Sequence, residues 1–255
     1  MFSLLMPEDA ELNKEIKQLV SDIQRYIMQQ EDLFGNVIPV EVRTRAKSAR
    51  PVDPVSLLKT IDETWVHAES LDDFNRQICT CLKCPLGHTR TKFVFGVGNP
   101  HADIMFIGEA PGADEDAQGE PFVGRAGQLL NKILEAIGFK REEVYICNLL
   151  KCRPPGNRDP ETSEVETCTP YLWKQIELLK PKIIVALGRL TGQFLLKTND
   201  GLGKLRGKVH ELQGAKLIVT YHPAALLRNP AWKRPTWEDM QMLRRLYDEI
   251  KKAGS

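Results

Sequence analysis

Four cysteines carry the strongest chemical signal in this chain. Cys81 and Cys84 have two residues between them in CLKCP, and Cys152 and Cys168 have 15. A Cys-x2-Cys pair lets two thiolates reach one metal centre without strain, whereas the wider pair needs the fold to bring it there. Four thiolates suit either tetrahedral zinc or an iron–sulfur cluster, and spacing does not choose between them. Ordinary buried thiols are the plain alternative. Cys147 reads as core and Cys79 as a flank of the site, so neither is assigned as a ligand.

Further polar residues cluster around glycine and proline. Residues 108–130 read GEAPGADEDAQGEPFVGRAGQLL, with acids at Glu109, Asp114, Glu115 and Asp116. A side-chain-poor turn exposes backbone N–H groups, and carboxylates beside them suit a small planar polar ligand and the positioning of water. A structural turn alone would account for the glycines and prolines but not for the acids. The stretch is no dinucleotide fingerprint, because G-x-G-x-x-G is absent, and GKLRGK at 203–208 is too short between glycines for a phosphate loop. Asn148 offers a donor and an acceptor side by side, as reading a base edge requires, although an Asn there also suits a cap. His222, followed by a turn-fixing proline, is a candidate for proton or hydrogen-bond chemistry against the usual structural histidine.

These residues need a scaffold, and the hydrophobic pattern supplies one. Apolar runs at 103–108, 144–148, 182–187 and 216–221 read as buried strands. Helical patterns lie at 125–138, 161–180, 190–196 and 236–252. The alternation predicts an α/β fold, a mostly parallel sheet with helices on both faces. Ligands in such sheets bind at the carboxyl ends of strands, and Glu109–Gly112, Asn148–Cys152, Gly188 and His222 fall there.

Ahead of that body, residues 1–34 carry a helical stripe of Leu12, Ile16, Leu19, Ile23 and Tyr26. It is expected to pack on the body or a second copy, or to bind a replication or repair protein. Residues 35–54, with several prolines and the basic run EVRTRAKSAR, read as a linker; 55–77 as short helices, one opened by the Ser70-x-x-Asp73 cap; and 78–252 as the main domain.

The whole chain has 255 residues, 42% hydrophobic, with a net charge of +1. That composition excludes dominant disorder, and no apolar run reaches the length of about 18 residues that a membrane span needs. The opening MFSLLMPEDAELNKE has no basic leader, so a cytoplasmic protein with reduced cysteines is expected. Residues 1–78 hold 9 basic and 14 acidic side chains against 26 and 20 in 79–255, so the body is moderately basic. This is compatible with a phosphate-bearing ligand.

Taken together, CLKCPLGHTRT, the segment from Phe95 to Leu130, NLLKCRPPGNRDP, Cys168, KIIVALG and HPAALLR resemble the family 4 uracil–DNA glycosylases, the iron–sulfur branch of that superfamily. The match covers Ile78 to Leu246, about two-thirds of the chain. The resemblance implies a three-layer α/β/α fold around a four-stranded parallel sheet. It implies a structural [4Fe–4S] cluster on Cys81, Cys84, Cys152 and Cys168, and uracil-containing DNA as the partner of a monomeric enzyme. Phe122 resembles the residue that stacks on the flipped base, and Asn148 the amide that pairs with it. Gly108, Glu109 and Ala110 resemble the pocket floor. His222 resembles the donor to uracil O2, and Leu226 or Leu227 the wedge that fills the vacated stack.

The best-known branch of the superfamily has an Asp at the position of Ala110 to activate water, where the family 4 members that this chain resembles carry a small residue. Its absence leaves Glu109, Asp114, Glu115 and Asp116 as candidates, and Glu115 is favoured. A crosslinking branch carries a nucleophilic histidine after the asparagine strand; RPPGNRDP at 153–160 has none, so turnover is expected. Two further function classes stand beside this one. A catalytically silent DNA-binding module is disfavoured by the intact Phe122, Asn148 and His222. A zinc or thiol hydrolase is disfavoured by the lack of an H-E-x-x-H or Cys–His motif.

Overall fold

The computed structural model describes residues 58 and 60–253. The expected N-terminal helix, the linker and residues 55–57 lie outside them. Six strands form one sheet: β1 (Val97–Gly98), β2 (Ile104–Gly108), β3 (Tyr145–Asn148), β4 (Ile183–Leu187), β5 (Val209–Leu212) and β6 (Ala215–Thr220). Their order is β1-β3-β2-β4-β6-β5, with the inner four parallel and both edge strands antiparallel. The sheet is therefore mixed and six-stranded, where four parallel strands were expected. The edge strands lack the continuous apolar run that marks a buried strand: β1 has two residues, and β5 (VHEL) alternates exposed with half-covered positions.

Burial on both faces follows from the pleat. Met105, Ile107, Tyr145, Cys147, Ile184, Ala186, Leu217 and Val219 join one apolar cluster. Ile104, Phe106, Ile146, Ile183, Val185, Leu187 and Ile218 join the other. Helices α1 (Leu71–Ile78), α5 (Thr162–Leu179), α6 (Arg189–Leu196) and α7 (Leu202–Leu205) feed the first cluster. Helices α4 (Arg125–Ala136) and α9 (Lys233–Ala253) feed the second. Short helices α2 (Leu86–Thr89), α3 (Ala113–Gln118) and α8 (Pro223–Arg228) sit in the connections. Ser70 caps α1, accepting from Asp73 N at 3.1 Å, and a 3₁₀ turn at Thr64–His67 precedes it in the segment expected as short helices.

The topology points to the site. From central β2 the chain moves to β3 on one side, then crosses to β4 and β6 on the other. Strand order reverses beside β2, which opens a crevice at the carboxyl ends there. The register sets Gly108 directly beside Asn148 and Leu187 beside Thr220. The residues after β2, β3 and β6 thus arrive at one edge of the sheet.

Candidate active site

A cavity of about 420 Å³ opens at those strand ends, lined by Glu109, Ala110, Gly112, Glu115, Phe122, Ala126, Asn148, His222 and Arg228, among others. Six of the expected site residues line it: Glu109, Ala110, Glu115, Phe122, Asn148 and His222. Gly108 stands against two of these residues, since a side-chain carbon there would meet Asn148 Oδ1 and the Phe122 ring. Residues 157–159, which also line the cavity, fall in the matched segment NLLKCRPPGNRDP but were assigned no role from the sequence. A larger cavity of about 750 Å³ lies between α5 and α6 and shares Glu109 with this one, but not Phe122, Asn148 or His222.

Phe122 is buried and its backbone adopts φ +54°. A left-handed aromatic residue is strained by about 1–3 kcal/mol, so its surroundings must hold it. Glu115 does this on one side, accepting from Val123 N at 2.9 Å, Gly124 N at 3.0 Å and Gly112 N at 3.1 Å. Arg141 acts on the other side, donating to the carbonyls of Pro121 at 2.5 Å and Phe122 at 3.2 Å. Gly127 makes room, because any Cβ there would overlap the Phe122 carbonyl. Both Glu115 oxygens are thus committed to main-chain N–H groups.

His222 lies two residues past the end of β6 and caps α8. Its Nδ1 accepts from Ala224 N at 3.1 Å, so the neutral ring carries its proton on Nε2. Burial, and then the nearby Arg228, push its pKa down to about 4. Its ring stands 5.4 Å from that of Phe122, tilted by 31°. Burial, then the Asp159 carboxylate, raise Glu109 to about 7, with Arg189 opposing.

Asn148 is 2% exposed, and its Oδ1 is one of two buried side-chain polar atoms without a partner among the described residues. Its main-chain carbonyl accepts from Lys151 Nζ at 2.6 Å. An unpaired buried acceptor costs about 1–3 kcal/mol, and natural folds keep one where a ligand completes it. Lys151, hidden in an otherwise ordinary motif, is a residue the sequence analysis passed over.

The two leucines separate. Leu226 is 2% exposed and packed inside, while Leu227 is 41% exposed on the surface of α8.

The cysteines gather elsewhere, beneath the Asn148 loop. Cys84 and Cys81 lie within electrostatic reach of Cys152, and Cys152 and Cys84 within reach of Cys168. Arg90 donates to Cys152 Sγ at 3.3 Å and Tyr171 Oη to Cys81 Sγ at 3.2 Å. Burial pushes the Cys152 thiol up to about 11 and Cys168 up to about 12. Cys147 is buried in the core and Cys79 is exposed. Among the described residues no group of three or more His, Cys, Asp or Glu closes to the spacing of a single metal ion. A four-iron cluster is wider than one ion, and this donor set, four thiols with Arg90 and Lys151 against them, has the chemistry to hold an anionic thiolate centre.

Residues 95–241 match the model of the Uracil DNA glycosylase superfamily. The chain belongs to this superfamily. It is 49% identical over 183 residues to the type-4 uracil-DNA glycosylase of Archaeoglobus fulgidus, covering 69% of this chain and 92% of that protein. It is 41% identical over 194 residues to the type-4 uracil-DNA glycosylase of Thermotoga maritima, covering 74% of this chain and all of that protein. A DNA polymerase of Bacillus phage SP01 shares 32% identity over 154 residues, 60% of this chain and 17% of the polymerase. No helix among the described residues is long and apolar enough to cross a membrane.

Proposed function

We propose that this chain is a uracil–DNA glycosylase, a hydrolase that takes uracil out of the DNA stack and cleaves its N-glycosidic bond. Cys81, Cys84, Cys152 and Cys168 would hold a [4Fe–4S] cluster. The observation that carries the enzyme reading is the buried, unpartnered Oδ1 of Asn148 in a cavity that also holds Phe122 and His222. Uracil N3–H supplies the missing donor, and the carboxamide N–H meets O4. Cytosine presents an acceptor at N3 and an amino group at C4, so it leaves buried groups unpaired.

Phe122 stacks on the flipped base, an interaction worth about 1–3 kcal/mol. Ala110 and Glu109 form the floor that excludes the thymine methyl. As the N1–C1′ bond breaks, its electron pair stays on uracil, and the Nε2–H of His222 meets the charge building at O2. Such a preorganised donor contributes about 3–4 kcal/mol. A neutral His222 suits this role at pH 7, and a pKa of about 4 keeps it neutral. Water adds to the sugar C1′. Glu115 is occupied by three main-chain N–H groups, so Glu109 takes over positioning and deprotonating that water. Leu227, not the buried Leu226, fills the vacated stack. A bound cluster would tie the segments at residues 81–84, 152 and 168 together without redox chemistry. The set of Phe122, Asn148 and His222 argues against a silent DNA-binding module.

The test uses oligonucleotides with uracil opposite guanine, uracil opposite adenine, and single-stranded uracil. Alkali should reveal strand breaks at uracil. Intact strands in every context would refute the enzyme reading.

A further inference from the structure

Lys151 is fully buried. Its Nζ donates to Asn148 O at 2.6 Å and to Gln175 Oε1 at 2.6 Å. Gln175 is equally buried and donates to Phe95 O at 3.0 Å and Tyr145 Oη at 3.2 Å. The Cys147 thiol is a further neighbour of the lysine side chain. The Cys168 sulfur lies in the field of Lys151 and takes a hydrogen bond from its main chain, and the next residue is Cys152. The lysine therefore touches the proposed cluster set with its backbone and the base reader with its side chain.

We propose that Lys151 is a positioning residue that couples the cysteine centre to uracil recognition by pinning the main chain of Asn148. This rests on the glycosylase reading above and adds to it the means by which the cluster segments act on base reading. The Nζ bond to the main-chain carbonyl fixes the Asn148 peptide and with it the position from which the carboxamide, its Oδ1 unpartnered, extends. Leu149 N, bonded to Gly108 O at 2.9 Å, fixes the same peptide from the other side.

The experiment compares full-length, cluster-loaded wild type with Lys151→Met and Gln175→Met, measuring kcat and KM on a U·G duplex together with iron per chain. Removing such a supporting partner typically costs about 10–100-fold. The expected result is wild-type iron content, KM held within about twofold and kcat down by about 10–100-fold in Lys151→Met. Gln175→Met, which keeps the lysine charge, should give a smaller loss in the same parameter and decides the matter if Lys151→Met does not fold. Unchanged kcat at full iron overturns the proposal, and so does a kcat loss that follows iron loss in proportion, since that marks a purely structural role. A wild type inactive on every uracil substrate instead removes the glycosylase reading itself, a result distinct from active variants of an active enzyme.

Discussion

A side-chain carbon on Gly108 would stand 2.3 Å from Asn148 Oδ1 and 2.6 Å from Phe122 Cζ. The parallel register that sets these two residues side by side makes the absence of a side chain part of the pocket. Gly108→Ala must displace either the carboxamide or the ring. Excision should fall by at least about 100-fold, the loss of one well-placed interaction. The strand itself, buried on both faces, should stay folded. Single-turnover kinetics and thermal melting check this: an active Gly108→Ala protein would show that neither group is needed where it stands.

Asn148→Asp tests base reading directly. A carboxylate keeps the acceptor toward N3–H but loses the donor toward O4, so uracil excision should be lost by about 10⁴-fold or more, the scale for unpaired buried polar groups. Protonated, the new acid donates its O–H to N3 and accepts from the 4-amino group, complementary to cytosine, so weak cytosine excision should appear. Full activity on uracil would remove Asn148 from the recognition role.

The pH profile should carry the mark of Glu109. Its pKa of about 7 means that the base form accumulates as pH rises through neutrality, so kcat should climb between about pH 6 and 8. His222, at about 4, should not titrate in that window. Glu109→Gln should lower the rate and abolish the rise. Stability moves the other way. A carboxyl with a raised folded-state pKa contributes stability at low pH, and that contribution is lost as pH rises toward about 7. His222, depressed, contributes stability above the ordinary histidine range that is lost as pH falls toward about 4. Glu109→Gln should therefore leave a melting temperature that rises more steeply with pH between about 4.5 and 7.

Most of the scaffold was legible because β2, β3, β4 and β6 are buried on both faces and write themselves as unbroken apolar runs. β5 was not, since an edge strand with one wet face spells VHEL. The approach of Asn148 and His222 to one crevice was readable from strand ends, because topology brings those ends together, whereas Phe122, on the loop after α3, was named only by the family resemblance. That Glu115 is committed to the main chain while Glu109 is not among its acceptors was not readable. It depends on which carboxylate meets the N–H groups of residues 112, 123 and 124, a matter of backbone path. Lys151 was hidden for a different reason: a lysine in a polar-looking loop reads as solvated, and its burial depends on Gln175, 24 residues away.

Cys152→Ala should yield little soluble protein and no brown colour. Cys152 is buried beside Cys168 and Arg90, so its loss takes one of the four proposed cluster ligands and leaves the Arg90 guanidinium short of a partner. Iron analysis and visible absorption check it. A stable, colourless, active variant would reject the structural cluster.

The exposure of the two leucines separates their roles. Leu227→Ala removes an exposed side chain from α8, where nothing in the fold depends on it, so the melting temperature should hold within about 2 °C. A wedge matters only when a partner base and a stack must be held open, and unstacking costs a few kcal/mol. Excision from duplex DNA should fall by about 10–100-fold while single-stranded uracil is processed nearly as before. Leu226→Ala should do the reverse, losing about 2–5 kcal/mol of stability as a core truncation. Equal losses on single-stranded and duplex substrate for Leu227→Ala would show that this leucine does not enter the stack.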